Sequence, residues 1–474
     1  MKKPPVKNHQ TKISPDVVSN TTQSTRLKAP GLQVSGLDTD LYQLTMLAAY
    51  LKSGKAEKKA SFELFVRNLP ADWGYLTACG IEGALDFLEQ VCFDEQQVEW
   101  LSSLDVFAGV DPHVFDYLKN YRFRGDVWAM EEGTPVFAEQ PILRITSGIG
   151  DAQIVETALL SRINYETLVA TKASRVVHAA AGRPVADFGS RRAHGPQAAF
   201  LAARAGFVGG CSATSNLSAG YRLGIPVTGT SAHAFIMAFE KEKSAFKAFV
   251  ETYPHGTALV IDTYDPLLGA RRAADFGKSV NAVRIDGGDL VSLSRKVRTL
   301  LDSLDCSDIR IFLSGDLDEY RIAEIVTASA PADAFGVGTK LVTSWDHPAL
   351  GGIYKLVEID DRPVMKRGGE KATWPGSKQV FREVNEEGTF VSDTVGLASE
   401  VDLPGMPLLQ KVMEDGRRIR PARDVNDARR KWLQNKEKLS PDVLQLKAPS
   451  RYDVRWSAMI KKIRRNLEKR RVEH

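Results

Sequence analysis

The sequence lacks the features of membrane-spanning, secreted and zinc-binding proteins. It contains no run of about 18 apolar residues that could cross a membrane. The amino-terminal residues lack the apolar core and small-residue cleavage site of a secretory signal. Its four cysteines are scattered and form no Cys-x-x-Cys pair, which argues against a disulfide framework and a zinc site. We therefore expect a cytoplasmic protein with no membrane partner.

The central part of the chain also lacks an excess of positive charge. The 474 residues carry a formal net charge of +4, but residues 1–30 contribute +5 and residues 451–474 contribute +6, which leaves residues 31–450 at −7. A nucleic-acid-binding protein usually carries basic residues on its folded surface. We therefore expect no nucleic-acid partner. Residues 1–30 have almost no large apolar side chains and are expected to form a disordered tail.

Two patterns of secondary structure divide the rest of the chain. Residues 31–160 mix helical segments with strand-like runs, which predicts an α+β domain. Near Pro184 the pattern changes to short apolar strands that alternate with helices, and this predicts parallel strands with right-handed crossovers. We expect residues 165–345 to form an irregular, TIM-like α/β barrel of about seven parallel strands. The predicted strands are Val185–Phe188, Val208–Cys211, Val227–Thr230, Ala258–Ile261, Ala282–Ile285, Ile309–Leu313 and Ala334–Val337.

The chain after the predicted barrel returns to strand-like segments. We expect about 350–423 to complete the amino-terminal α+β domain, so that this flanking domain is discontinuous in sequence. Residues 424–474 are predicted to form a basic helical segment with a solvated face.

Polar residues collect directly after the predicted barrel strands. In an α/β barrel the loops that follow the strands open on one face, where the chemistry of such folds takes place. We therefore expect an active site on this face. The polar loops are Asp187–Arg192, Cys211–Ser215, Gly229–His233, Asp262–Asp265, Arg284–Asp289, Ser314–Asp316 and Gly338–Lys340.

Several of these loops carry residues suited to catalysis or anion binding. His233 can serve as acid, base or nucleophile, or it can be a structural histidine at the edge of the core. The glycine-rich loops at Gly315 and Gly338 expose backbone amides, and Thr339 adds a hydroxyl, which predicts a phosphate site. Arg191 adds positive charge on the same face.

The segment from Arg284 to Asp289 combines a guanidinium with two carboxylates. Arg284 can bind a substrate carboxylate or form a salt bridge with a neighbouring acid. Asp286 can hold ribose hydroxyls, stabilise a cationic sugar or bind Mg²⁺ through water. Asp289 can do the same or cap the next helix.

With these residues assembled, the sequence resembles the nicotinate phosphoribosyltransferase family. The resemblance covers roughly residues 31–420. It rests on five separated motifs in the family's order: Asp38-Thr-Asp-Leu-Tyr-Gln-Leu-Thr-Met46, Asp187-Phe-Gly-Ser-Arg-Arg192, Gly229-Thr-Ser-Ala-His233, Arg284-Ile-Asp-Gly-Gly-Asp289 and Gly336-Val-Gly-Thr339. The family commonly has serine where Gly287 stands here, so we expect a hydroxyl contact on the ribose side to be missing.

The resemblance implies that nicotinate attacks C1 of phosphoribosyl diphosphate to give nicotinate mononucleotide and diphosphate. It also implies Mg²⁺ as cofactor, coupled ATP hydrolysis through a phosphohistidine, and a homodimer with shared active sites. His233 would be the phosphorylated residue and, with Asp286, the catalytic pair. Nicotinate binding is implied for Tyr42 of the partner subunit, Phe188, Thr230 and Arg284. Phosphoribosyl diphosphate binding is implied for Arg191, Asp286, Gly315, Gly338 and Thr339.

Other functions fit part of the same pattern. A phosphoribosyltransferase for nicotinamide or quinolinate would share the phosphate loops, although quinolinate has two carboxylates and should need a more basic pocket. A non-catalytic protein that binds NAD precursors would not need His233 and Asp286. A general sugar-phosphate enzyme on a barrel remains the broadest alternative.

Overall fold

A computed structural model describes residues 34–254, 256–366 and 372–469. The predicted disordered tail of residues 1–30 lies outside the described residues. Among the helices within them, none is both long enough and apolar enough to cross a membrane. The largest sheet is antiparallel, and a second large sheet is parallel and carries the loops of the candidate site.

The antiparallel sheet joins chain segments from both sides of the parallel one. Its middle strand Lys59–Val66 pairs with Pro141–Gly148 on one side and with Gly352–Ile359 on the other. Every residue of this strand after Lys59 is buried, because both faces of the sheet are covered. From edge to edge the strands are Arg362–Pro363, Gly352–Ile359, Lys59–Val66, Pro141–Gly148, Asp126–Ala129, Gln410–Glu414 and Arg417–Arg418.

The last part of the chain contains more than a solvated helical segment. The strand Asp453–Trp456 lies between the helices Val425–Lys436 and Ala458–Lys469 and pairs in parallel with Phe390–Leu397. Trp432 is fully buried, and its ring stacks on another aromatic ring of the flanking domain. The sequence prediction of a solvated helical segment is therefore incomplete, because a four-residue strand has too few apolar positions to produce a visible pattern.

The remaining elements of the flanking domain complete its layers. A four-stranded sheet of this domain contains Met406–Pro407, Lys378–Val384, Phe390–Leu397 and Asp453–Trp456. A small sheet pairs Leu76–Thr77 with Pro135–Val136. The other helices in this part of the chain are Leu41–Lys52, Ile81–Gln90, Glu95–Ser102, His113–Lys119 and Ile149–Ile154.

The parallel sheet contains six strands in the described residues, so the α/β class is confirmed with one strand fewer than predicted. The long helix Glu156–Ala179 precedes it. In spatial order the strands are Ala213–Thr214, Val185–Asp187, Ala334–Val337, Arg310–Leu313, Val280–Ile285 and Thr257–Val260. The helices that alternate with or follow them are Pro196–Val208, Leu217–Leu223, His233–Met237, Glu242–Thr252, Pro266–Ala274, Leu290–Asp302, Glu319–Thr327 and Thr339–Val342.

The prediction of a strand at Val227–Thr230 is wrong. Val227 forms only an isolated bridge with Thr214, and its side chain is 52% exposed, so this segment contributes little to the core. At its other end the Ser231 amide donates to the Ala258 carbonyl at 3.2 Å. The segment therefore spans the gap between the two edge strands of the parallel sheet as irregular backbone.

The prediction of a strand at Val208–Cys211 is also wrong. Val208 is the last residue of a helix, and the strand begins only at Ala213. Between them the backbone turns at Gly210, which has a φ of +116° that favours glycine. Val208 and Cys211 are buried, so their apolar character reflects core packing at a helix end.

A buried ion pair connects distant parts of the flanking domain. Arg382 and Asp393 are 1% and 0% exposed, and the guanidinium donates twice to the carboxylate, at 2.8 and 2.6 Å. The same guanidinium donates to the carbonyl of Pro135 at 2.9 Å, and Gln140 donates to Asp393 at 2.7 Å. The pair therefore fixes the carboxyl-terminal sheet against the amino-terminal part of the domain.

We expect Arg382→Leu to lower the free energy of unfolding by about 3–5 kcal/mol, because it leaves a buried, unpaired carboxylate. The double variant Arg382→Leu/Asp393→Leu should recover part of this loss. The control Arg455→Leu removes an exposed ion pair with Asp453 and should cost less than about 1 kcal/mol. Urea denaturation measures all three, and equal losses at both sites would contradict the expectation.

Candidate active site

Loops at the carboxyl ends of the parallel strands enclose a cavity of about 200 Å³. Its lining includes every residue predicted to bind the phosphoribosyl group, together with two of the residues predicted to bind nicotinate. The lining residues are Phe188, Arg191, Arg192, Arg284, Asp286, Ser314, Gly315, Asp316, Gly336, Gly338 and Thr339.

Arg284 is held in the cavity by three side chains. Its Nε donates to the Ser314 hydroxyl at 2.7 Å, and its two terminal nitrogens donate to Thr230 at 2.9 Å and to Asp286 at 2.7 Å. The ring of Phe188 lies 5.5 Å from the centre of the guanidinium. A guanidinium has five N–H groups, so one on each terminal nitrogen remains for a ligand. The salt bridge to a neighbouring acid is therefore present, and it leaves donors available to a substrate carboxylate.

Asp286 is the carboxylate that connects the guanidinium to the histidine. The Ser314 hydroxyl donates to it at 2.7 Å, and Nε2 of His233 lies 3.5 Å from its second oxygen. Burial opposes ionisation of this carboxyl. The Ser314 hydrogen bond and the charge of Arg284 outweigh burial, and they hold the pKa of Asp286 below its ordinary value. Asp286 is therefore ionised at neutral pH.

His233 begins the short helix His233–Met237 and remains accessible to a ligand. Its side chain is 40% exposed, and Nδ1 lies 3.1 Å from the Thr263 hydroxyl. One ring nitrogen therefore faces a hydroxyl and the other faces the Asp286 carboxylate. This arrangement orients the imidazole without burying it.

Three further side chains support the site, and no individual role was predicted for them from the sequence. Asp262 accepts a hydrogen bond from the Asp286 amide at 2.6 Å, and its other oxygen is buried without a partner. Thr263 contacts His233, and Ser314 contacts both Arg284 and Asp286. Their position after a strand was the available signal. Asp289, in contrast, accepts from the Ser292 amide at 3.2 Å and caps the next helix.

The cavity carries more positive than negative charge. The lining contains three arginines and two aspartates, and Arg284 is already paired with Asp286. Arg191 and Arg192 are exposed, and their side chains have no hydrogen-bonding or ion-pair partner within the described parts of the chain. Their guanidinium groups are therefore free to bind an anion.

Thr230 and His233 contact lining residues, whereas Tyr42 lies apart from this cavity. It is in the first turn of the helix Leu41–Lys52, is 48% exposed and does not line the cavity of its own chain. Leu41 and Met46 on the same helix are also exposed, so this end of the helix presents an apolar surface.

Gly315 sets the distance between two of these loops. Its φ is +96°, and a Cβ atom at this position would lie 2.1 Å from the carbonyl oxygen of Asp286. Gly287, one residue beyond Asp286, has open space around it, and a Cβ atom there would meet no other atom within 4 Å. A side chain at position 315 would therefore clash with the backbone of Asp286, whereas a side chain at position 287 would not clash.

We expect Gly315→Ala to displace the Asp286 loop and to lower the free energy of unfolding by about 1–3 kcal/mol, because the backbone is strained and the close approach is lost. Gly287→Ser is the matched control and should change it by less than about 0.5 kcal/mol. Thermal melting of both variants tests this. A similar shift for both would contradict a special role for Gly315.

Comparison with known proteins agrees with this geometry. The models of the nicotinate phosphoribosyltransferase N-terminal domain, family and C-terminal domain match residues 37–164, 184–372 and 404–464. The last match extends the resemblance beyond the limit of about residue 420 given by the motifs.

Curated relatives and solved structures cover most of the chain. A nicotinate phosphoribosyltransferase of Mycobacterium tuberculosis is 43% identical over 87% of this chain and 89% of its own. The human enzyme of that name is 28% identical over 88% and 93%, respectively. The crystal structure of human nicotinic acid phosphoribosyltransferase superposes with a TM-score of 0.79 at 26% identity, covering 90% of this chain and 99% of its own. A nicotinate-nucleotide pyrophosphorylase from Pyrococcus furiosus has a TM-score of 0.71 at 27% identity, with the same coverage. The chain therefore belongs to the nicotinate phosphoribosyltransferase family.

Proposed function

We propose that this enzyme transfers the phosphoribosyl group of phosphoribosyl diphosphate to nicotinate and couples the transfer to ATP hydrolysis through phosphorylation of His233. The products are nicotinate mononucleotide and diphosphate, which makes this the first step of NAD salvage from nicotinate. The observation that carries the proposal is the chain of contacts from Arg284 through Asp286 to His233 at the edge of the cavity. These contacts place three groups side by side: a guanidinium that can bind a carboxylate, a carboxylate that can stabilise a cationic sugar, and an imidazole that can act as a nucleophile.

Arg284 and Phe188 form the proposed nicotinate site. The free N–H groups of Arg284 would donate to the nicotinate carboxylate, and Phe188 would stack on one face of the pyridine ring. Phe188 is itself supported by Phe312, whose ring centre is 5.5 Å away. Thr230 already contacts Arg284 at 2.9 Å and would complete the carboxylate site.

Asp286 would act on the sugar during the transfer. As the bond from C1 to diphosphate breaks and the bond from C1 to the pyridine nitrogen forms, the ribose gains positive charge. An ionised carboxylate nearby stabilises this charge. Arg191 and the loops at Gly315, Gly338 and Thr339 would hold the phosphate groups. The guanidinium of Arg191 would also stabilise the negative charge of the departing diphosphate.

The residues at the cavity fit a Mg²⁺ ion that arrives with the substrate. The described residues contain no group of three or more potential metal-ligating His, Cys, Asp or Glu side chains, so they form no protein cage for a metal. Mg²⁺ in phosphate sites keeps several waters and uses one or two carboxylates. Asp316 in the lining would supply one ligand, and Asp262, which lies behind the lining beside the Asp286 amide and has an unpartnered oxygen, would supply the other. When bound, Mg²⁺ neutralises charge on the diphosphate.

His233 would be the acceptor of the ATP γ-phosphoryl group. A bond from a ring nitrogen to phosphorus forms as the bond to ADP breaks, and water later releases phosphate. The phosphoryl group would add about two negative charges close to the carboxylate of Asp286. The resulting repulsion would change the contacts of the Asp286 loop, and this gives ATP hydrolysis a route to substrate binding.

A homodimer would complete the site. The helices and loops after the parallel strands expose large apolar side chains, and the helix that carries Tyr42 exposes others. An apolar surface of this kind usually marks a protein interface. We propose that Tyr42 of one subunit reaches the cavity of its partner and stacks opposite Phe188. The exposed apolar residues after the strands include Leu217, Tyr221, Met237 and Tyr264.

Substrate selectivity tests the proposed role of Arg284. The wild type should convert nicotinate in preference to nicotinamide and quinolinate. Arg284→Gln should lower kcat/KM for nicotinate by about 10–100-fold, because a hydrogen bond to a charged group contributes about 1.5–3 kcal/mol. Any nicotinamide turnover should fall much less. Arg284→Lys should recover only part of the loss, because an ammonium does not replace the guanidinium fork.

The same assay with and without ATP distinguishes the alternatives. Equal loss of both activities in Arg284→Gln, with a lower melting temperature, would mean that Arg284 only supports the loop. Preference for quinolinate without any effect of ATP would favour a quinolinate phosphoribosyltransferase.

Labelling with γ-phosphate-labelled ATP tests the phosphohistidine. The wild type should gain an acid-labile phosphoryl group, and His233→Ala should gain none. The exposed His194 provides the matched control, and His194→Ala should label as the wild type does. Retention of the label in His233→Ala would assign phosphorylation to another residue.

Complementation tests the shared site. Tyr42→Ala and His233→Ala should each lose activity, because each removes one part of every composite site. Mixed and re-equilibrated dimers contain some sites with both residues intact, so activity should return to about a quarter of the wild-type value per site. A dimer that regains no activity would contradict sharing through Tyr42.

A further inference from the structure

An ion pair outside the cavity links the loop that contains Gly315 to the loop that contains Gly338. Nζ of Lys340 donates to Asp318 at 2.6 Å, and the two side chains are 30% and 16% exposed. Lys340 directly follows Thr339, and Asp318 lies three residues after Gly315. The pair therefore connects the residues next to both proposed phosphate-binding loops.

No backbone hydrogen bond provides the same link in the described part of the chain. The strands that lead into the loops pair only through Phe312 with Ala334 and Leu313 with Phe335. Beyond Leu313 and Val337, the two loops separate from the ladder. Backbone bonds fix each loop to its other neighbouring strand, so the direct link between the two loops is made by side chains.

A buried ionic cluster stands behind this pair. Glu319 is fully buried, forms an ion pair with Lys172 at 2.7 Å and accepts a hydrogen bond from Arg175 at 2.9 Å. Lys172 also contacts Asp346 at 2.5 Å, in the turn that follows the helix Thr339–Val342. This short helix is thus anchored through Lys340 at its start and through Asp346 beyond its end.

We infer that Lys340 and Asp318 are positioning residues, whose ion pair sets the spacing of the Gly315 and Gly338 loops for the substrate diphosphate. This inference rests on the proposed function. A phosphate group bound by both loops needs donors from both at fixed distances. A displacement of about 1 Å in such a site can lower the rate about 100-fold.

Asp318→Asn and Lys340→Gln test the inference. Asp318 also accepts from the Arg321 amide at 2.8 Å and caps a helix, and asparagine preserves this cap. Each variant should raise KM for phosphoribosyl diphosphate by about tenfold, with KM for nicotinate nearly unchanged. The double variant should show no larger effect than either single one, since both remove the same pair. Lys340→Arg should retain wild-type kinetics, because arginine can pair with Asp318.

A surface ion pair supplies the control. Lys243 contacts Asp275 at 2.5 Å, both side chains are about half exposed, and neither lines the cavity. Lys243→Gln should change neither KM nor kcat. A fall in KM for phosphoribosyl diphosphate in Asp318→Asn would overturn the inference, because it would mean that released Lys340 binds phosphate directly. A lower melting temperature with unchanged kinetics would overturn it in favour of a purely structural pair.

Calorimetry with inorganic diphosphate separates this inference from the proposed function. If the wild type forms no nicotinate mononucleotide, the proposed function fails. Diphosphate should still bind the wild type more tightly than Asp318→Asn or Lys340→Gln if the pair spaces the loops. Equal affinities would reject the inference independently of the activity.

Discussion

The ion pair between Arg284 and Asp286 is the interaction on which the site depends. Both charges are largely withdrawn from water, with 14% and 24% of their side chains exposed, so each is destabilised when the other is removed. Ser314 contacts both groups, which reduces the freedom of the pair to a single arrangement. The pair therefore keeps a cation and an anion side by side without neutralising either by proton transfer.

This pair also decides where the surrounding loops lie. Asp262 holds the Asp286 amide from one neighbouring strand, while Gly315 packs against the Asp286 carbonyl from the other. The loops of three adjacent strands thus meet at one residue. Nε2 of His233 lies 3.5 Å from the Asp286 carboxylate, at the point where these three loops meet.

The flanking domain contributes rigidity from behind the site. Arg175 on the long helix contacts Glu319 at 2.9 Å, and it also donates to the carbonyls of Asp72 at 2.7 Å and Leu446 at 3.0 Å. The barrel helix that follows the Gly315 loop is therefore attached to segments near both ends of the chain. Buried charges of this kind are stable only when each has its partners. The position of the helix after the Gly315 loop therefore depends on the position of the flanking domain.

The amino-acid sequence by itself determined the α/β class, the position of most strands and the residues that line the cavity. These follow from local rules, because short apolar strands alternate with helices and polar residues follow their carboxyl ends. Tertiary structure decided the rest. The segment Val227–Thr230 has the composition of a strand, but it lies in the gap between the two edge strands of the parallel sheet. Its position relative to those strands leaves it irregular. Arg284 pairs with Asp286 only two residues away, but its contact with Ser314 depends on the parallel register, which places Arg284 beside Phe312 on the adjacent strand. Contacts between residues far apart in sequence depend on register and packing, which a local pattern does not contain.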